Sequence, residues 1–142
     1  MKFLASREYS VLELKKKLQK KFSEKNDDIE KILQFLISKK FLSDQRFAEI
    51  FLDSLLQNSP GGKIFLEKKM KLRGISPEIY EKIFTEKKIF ETEKIRAKKL
   101  AEKKLNFLLS LDKKKKEEKI YRFLISRGFS FQIAREVLDE IF

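Results

Sequence analysis

The chain has 142 residues, 42% of them hydrophobic, and carries a net charge of +12 from 34 Lys+Arg against 22 Asp+Glu. That length and apolar content suit one ordinary domain or a short array of small helical units, and they exclude disorder as the default. His and Cys are both 0, which removes a thiolate nucleophile, an imidazole base, a Cys/His zinc site and any disulfide framework, so no catalytic centre, cofactor or metal is expected.

With Pro at 2 and Gly at 4, and with Leu, Ile and Phe set among Lys and Glu, the residue mixture is that of amphipathic helices, and an all-α fold is expected. Met1-Lys2-Phe3-Leu4-Ala5-Ser6-Arg7-Glu8 is charged within a few residues and holds no apolar run of signal length. No later stretch approaches the roughly 18 apolar residues of a membrane span. A cytoplasmic address without a membrane partner is the expectation.

Ser10-Val11-Leu12-Glu13 has the spacing of a capping box, so a helix begins there, with Val11, Leu14, Leu18 and Phe22 on one stripe. A polar break at 23–26 ends it. Asp27 and Asp28 complement the positive end of a second helix, whose apolar positions are Ile29, Ile32, Leu33, Leu36 and Ile37. Phe41-Leu42 forms an apolar corner before Ser43, an N-cap with Asp44 in the first turn, and Phe47, Ala48, Phe51, Leu52 and Leu55 continue the pattern. Asn58-Ser59-Pro60-Gly61-Gly62 marks a turn. The next helix carries Ile64, Phe65, Leu66, Met70 and Leu72 and stops at Gly74. Ser76-Pro77-Glu78 restarts a helix with Ile79, Ile83 and Phe84 inward. Residues 90–109 read as one long helix with Ala97, Leu100, Ala101, Leu105 and Leu108 buried. Asp112 caps a helix with Ile120, Leu124 and Ile125 that ends at Gly128, and a last helix starts from Ser130 with Ile133, Val137, Leu138 and Ile141. The total is eight helices, or nine if 2–7 is helical.

An internal repeat underlies this order. At a spacing of 54 residues Arg73-Gly74-Ile75-Ser76 falls over Arg127-Gly128-Phe129-Ser130, and Leu66, Met70, Ile79, Ile83 and Phe84 fall over Ile120, Leu124, Ile133, Val137 and Leu138. So many matches in register argue for a duplicated helix-turn-helix, with 10–37 as a third, degenerate copy. The expected organisation is three tandem three-helix repeats, 1–40, 41–88 and 89–142. Units this small bury their stripes by stacking, which predicts an elongated, curved array.

Positive charge concentrates in residues 87–122, where fourteen Lys/Arg face six Asp/Glu. Such a field attracts nucleic acid or another polyanion, although 27 of the cations are Lys, which coding bias or solubility also favours. Lys113, Lys114, Lys115 and Lys116 sit at or just before a helix start, against the positive end of its dipole. They are either an anion site or a solvated loop preceding a later helix. Lys94, Arg96, Lys98, Lys99, Lys103 and Lys104 extend that surface or form a merely solvated face. Arg46, Arg73 and Arg127 recur at corners, where a guanidinium either meets a partner's anion or ties off the carbonyls of its own unit. Asp44 reads as a helix-start residue, and Asp27, Asp28 and Glu30 as a helix N-terminus rather than a metal site. Phe35 and Phe131 lie off stripe.

Phe41-Leu42-Ser43-Asp44-Gln45-Arg46-Phe47-Ala48, the two Arg-Gly turns and the Ser10 to Leu18 segment, in this order, resemble the RecX family, in which three tandem three-helix repeats form a curved regulator of the RecA filament. The first copy departs from the pattern by lacking the turn glycine. The resemblance implies a monomeric regulatory protein rather than an enzyme. Such a protein binds RecA, lies in the groove of its filament on single-stranded DNA, and suppresses recombinase, ATPase and co-protease activities in DNA repair, recombination and the SOS response. Lys15, Lys16, Lys20, Arg46, Arg73, Lys94, Arg96, Lys98, Lys99, Lys103, Lys113, Lys114, Lys115, Lys116, Arg122 and Arg127 are the candidate contacts to RecA or DNA. The competing expectation is a general nucleic-acid-binding helical repeat protein.

Overall fold

A computed structural model of the chain describes residues 7–142. Among them the regular structure is wholly helical, in eight helices: α1 (Val11–Lys21), α2 (Asn26–Ser38), α3 (Asp44–Asn58), α4 (Lys63–Leu72), α5 (Pro77–Glu86), α6 (Glu93–Leu105), α7 (Lys113–Ser126) and α8 (Phe131–Ile141). The possible helix at 2–7 lies outside the described residues but for Arg7. The chain divides into two compact units, one running to Leu52 with Lys69–Ile83 added, the other made of Asp53–Lys68 with Phe84–Phe142.

In the first unit the capping box forms as its spacing demands. Ser10 Oγ accepts from Glu13 N at 3.1 Å and Glu13 Oε1 accepts from Ser10 N at 3.1 Å, satisfying two otherwise orphaned amides. Leu14 and Leu18 of α1 pack with Ile29, Leu33 and Leu36 of α2, and with Tyr9 and Leu42. The apolar stripe of α2 is narrower than its pattern suggests, because Ile32 and Ile37 are exposed, as is Phe22 beyond α1. The core takes only one residue per turn there. Helix α2 ends in a left-handed residue, Lys40 at φ 61°, after which Phe41 N and Leu42 N both return to the Leu36 carbonyl. That bend turns Leu42 inward and leaves Phe41 outside.

In the second unit α6, α7 and α8 pack on one another around Ala97, Ala101, Leu108, Ile120, Leu124, Phe129, Ala134 and Val137. Two alanines on the buried stripe of α6 let its backbone approach its neighbours closely. Asp112 and Ser130 cap α7 and α8 through Lys115 N and Ile133 N. The long helix expected over 90–109 forms, but only over Glu93–Leu105, three to four residues shorter at each end. Lys88 adopts φ 54°, Thr92 Oγ1 donates back to the Lys88 carbonyl at 2.8 Å, and the helix starts only at Glu93. At its other end it stops at Leu105, where turns through Asn106 swing Leu108 into the core and leave Phe107 and Leu109 at 78% and 70% exposure. Ile64 and Leu72 of α4, placed on the buried stripe by their spacing, also face solvent, whereas Leu66 and Met70 are fully buried.

The two turn glycines do what their place in the repeat requires. Gly74 has φ +78° and Gly128 φ +82°, the left-handed region that L side chains avoid. A Cβ at Gly74 would meet Leu12 of α1, and one at Gly128 would meet Phe65 of α4. Each turn thus needs glycine twice over, for its backbone angle and for the close approach.

Candidate cationic surfaces and the family

A second device recurs in both units. The amide at the head of α1, Val11 N, donates to Asp44 Oδ1 at 2.8 Å, and the amide at the head of α4, Lys63 N, donates to Glu93 Oε1 at 3.0 Å. Asp44 opens α3 and Glu93 opens α6, so each carboxylate sits at its own helix start and also caps another helix. The sequence placed Asp44 at a helix start; its partner 33 residues away had no local signal.

The candidate cations separate into those that hold the fold and those that do not. Arg46 is fully engaged. Its guanidinium pairs with Glu8 and donates to the carbonyls of Lys40 and Phe41 at 3.0 and 3.2 Å. Arg73 pairs with Glu13 and stacks 4.8 Å from the Phe51 ring. Burial, the largest single influence on Glu13, pushes its pKa up, but the Ser10 amide and the guanidiniums of Arg7 and Arg73 outweigh it and hold the carboxyl below its ordinary value. Lys15 pairs with Glu30 at 2.7 Å.

On the second unit, Lys94 bonds Glu140 at 2.5 Å and lies 3.6 Å from Glu136, while Lys98 lies 3.5 Å from Glu140. The Lys94–Glu140 bond raises the ammonium's pKa and lowers the carboxyl's. Arg96 donates from Nε to the Gly61 carbonyl at 3.2 Å and from Nη1 to Thr92 Oγ1 at 2.7 Å. Arg127 lies over the rings of Phe65 and Phe123 at 5.6 and 5.9 Å. Its carbonyl accepts from Gly62 N at 2.8 Å.

Lys16, Lys20, Lys99, Lys103, Lys114, Lys115, Lys116 and Arg122 have no ion pair, side-chain hydrogen bond or ring contact among the described residues. The lysine run lies in a helix and not in a loop before one, for α7 begins at Lys113. The first turn holds no acidic residue after the N-cap Asp112, and among the described residues only Lys113 of the four has a carboxylate within range, Glu117 at 4.0 Å. The first turn of α7 therefore presents uncompensated positive charge beside the positive end of its own dipole. Phe35 and Phe131 are exposed as their off-stripe positions predict, and Phe131 stacks with Tyr121 at 6.4 Å between centroids.

Among the described residues no group of three or more acidic side chains converges as a metal site, and no helix is long and apolar enough to cross a membrane. Helical hairpins turned at left-handed glycines, with helices capped by carboxylates from elsewhere in the same unit and with lysine-rich outer faces, define an all-helical repeat protein. Residues 91–138 match the family model for the third three-helix domain of RecX. Over its whole length the chain is 35% identical to the regulatory protein RecX of Chlorobium phaeobacteroides (strain BS1), covering 90% of that protein. It is 33% identical over 89% of its length to the regulatory protein RecX of Haemophilus influenzae (strain PittEE), covering 81% of it. The crystal structure of RecX from Lactobacillus salivarius superposes with a TM-score of 0.82 at 23% identity, over 98% of this chain and 89% of that one. The chain belongs to the RecX family of regulatory proteins.

Proposed function

We propose that the chain is a cytoplasmic, monomeric, non-catalytic regulator that binds RecA and its filament on single-stranded DNA and restrains recombinase, ATPase and co-protease activities by occupying the filament groove. Its three consecutive repeats, 1–40, 41–88 and 89–142, are the units that engage the filament. Family membership across nine tenths of a relative's length carries this reading. The free cations sharpen it: Lys16 and Lys20 on α1, Lys99 and Lys103 on α6, and Lys114, Lys115, Lys116 and Arg122 on α7 are the groups proposed to meet DNA phosphates or acidic RecA patches. Arg46, Arg73, Arg96, Arg127, Lys15, Lys94 and Lys98 act first within the fold, through the partners described above.

The test measures RecA's DNA-dependent ATPase with this protein added well below RecA's concentration, alongside its binding to bare single-stranded DNA across salt. A filament regulator inhibits before DNA is saturated. A general nucleic-acid binder inhibits only by coating DNA, and loses that effect steeply as salt rises. Charge reversal at Lys113, Lys114, Lys115 and Lys116 is expected to weaken inhibition, and unchanged inhibition would remove the first turn of α7 from the interface.

A further inference from the structure

The second unit contains a cavity of about 480 Å³ whose wall includes Lys87, Arg96, Lys99, Lys103 and Arg127 and not one carboxylate. Arg96, Lys99 and Lys103 follow at steps of three and four along α6, so a single helix face delivers all three. Lys87 comes from the turn after α5 and Arg127 from the end of α7. Lys99 and Lys103 are both exposed and have no partner among the described residues. Arg96 Nη2 and Arg127 Nε are buried donors without an acceptor, an arrangement that costs free energy unless something else satisfies them.

The fold's own negative groups do not balance this wall. Lys87 lies 3.8 Å from Asp53, and Glu93 stands near Arg96, whose pKa burial lowers while Glu93 acts the other way. The C-terminal end of α3, at Leu56, Gln57 and Asn58, contributes the equivalent of about half a negative charge. Five cations against two carboxylates and a helix end leave an excess of roughly two to three positive charges around one cavity. The volume exceeds what one carboxylate fills and suits a nucleotide-sized group. Leu56, Pro60, Ile89 and Leu100 supply an apolar wall on which a sugar or base can rest beside its phosphate. A duplex holds its nucleotides stacked and paired, whereas a single strand is free to turn one into a recess.

We infer that this cavity binds a phosphodiester of single-stranded nucleic acid, with Lys99 and Lys103 as point charges and the guanidiniums of Arg96 and Arg127 as directional donors. This inference deepens the proposed function and rests on it, since it assigns one strand contact within the filament complex.

The test uses the full chain and a fluorescent oligo-dT, with binding measured by anisotropy over a range of NaCl concentrations. Lys99→Gln combined with Lys103→Gln removes two exposed charges and leaves the structural guanidiniums in place, so the circular dichroism spectrum should match the parent and the melting temperature should be no lower. The slope of log affinity against log salt should become shallower by about 0.7, the contribution of one single-strand phosphate contact. An oligoglutamate peptide of equal charge should displace the strand poorly. An unchanged slope, or displacement by oligoglutamate as effective as by unlabelled oligo-dT, overturns the assignment. RecA ATPase inhibition measured in parallel keeps the two readings apart. Inhibition by the parent with an unchanged slope in the variant removes the cavity and leaves the regulator, whereas a shallower slope without any inhibition by the parent does the reverse.

Discussion

Asp44 and Glu13 are carboxylates that cap helices in one unit, yet they titrate in opposite directions. Burial, the largest influence on Asp44, raises its pKa, the Val11 amide lowers it, and the nearby Glu13 charge raises it again. Because the folded state takes up the Asp44 proton at a higher pH than the unfolded chain, this group's contribution is fully present below the unfolded pKa. It is lost as pH rises through the folded one. Glu13, held low, contributes above its unfolded pKa and loses that contribution as pH falls through its folded pKa. Asp44→Asn keeps the acceptor for Val11 N and removes the buried charge. Denaturant unfolding should find it at least as stable as the parent at pH 7, with the difference vanishing below about pH 3. Asp44→Ala leaves the amide unpaired and should cost about 1 kcal/mol at either pH. Glu13→Gln should cost about 1 kcal/mol at pH 7, after discounting for the partly exposed guanidiniums, and little in acid. A destabilised Asp44→Asn at neutral pH would mean that the charge of Asp44, and not its oxygen, is what α1 needs.

Helix ends were the most legible part of the sequence, and they are also where the fold stores strain. Ser10, Asp112, Ser130, Gly74 and Gly128 announced themselves because caps are local: donor and acceptor lie within three or four residues of each other. The late start of the helix within 90–109 was illegible for the complementary reason. Its cause is a lysine, Lys88, forced to φ 54°, and a carboxylate, Glu93, drawn to an amide 30 residues earlier. Lysine carries no turn signal, and the apolar period runs on through both ends of α6. The partition of the cations was hidden likewise, since Lys94 and Lys98 find Glu136 and Glu140 on another helix while Lys99 and Lys103, on the same helix, find no partner among the described residues. Left-handed ends can be tested against one another. Lys88→Gly should stabilise by about 0.5 kcal/mol, the relief of a non-glycine left-handed residue less the added freedom of the unfolded chain. Gly74→Ala should cost about 2 kcal/mol or more, because backbone strain adds to the collision with Leu12. Chemical denaturation midpoints read both, and equal effects of one sign would refute the assignment of strain to these turns.

At the scale of the whole molecule, a charge of +12 sets two electrostatic contributions against each other. Ion pairs such as Lys15–Glu30, Lys63–Glu67 and Lys94–Glu140 are short-range, partly exposed contacts, and contacts of that kind contribute little to folding at any salt concentration. Mutual repulsion among the excess cations is long-range, and residues 87–122 alone hold fourteen cations against six acids. It is the contribution that salt screens once the Debye length shrinks to about 10 Å near 0.1 M. Added NaCl should therefore raise the melting temperature of the free protein, and for a chain of this length each 1 kcal/mol of relieved repulsion appears as roughly 3–4 °C. The Lys99→Gln and Lys103→Gln pair should start from a higher melting temperature at low salt and gain less from salt, because two cations of the crowded cavity wall are already gone. A melting temperature that falls with salt would place the balance with the ion pairs. The uncompensated charge would then be too dispersed to gather a polyanion.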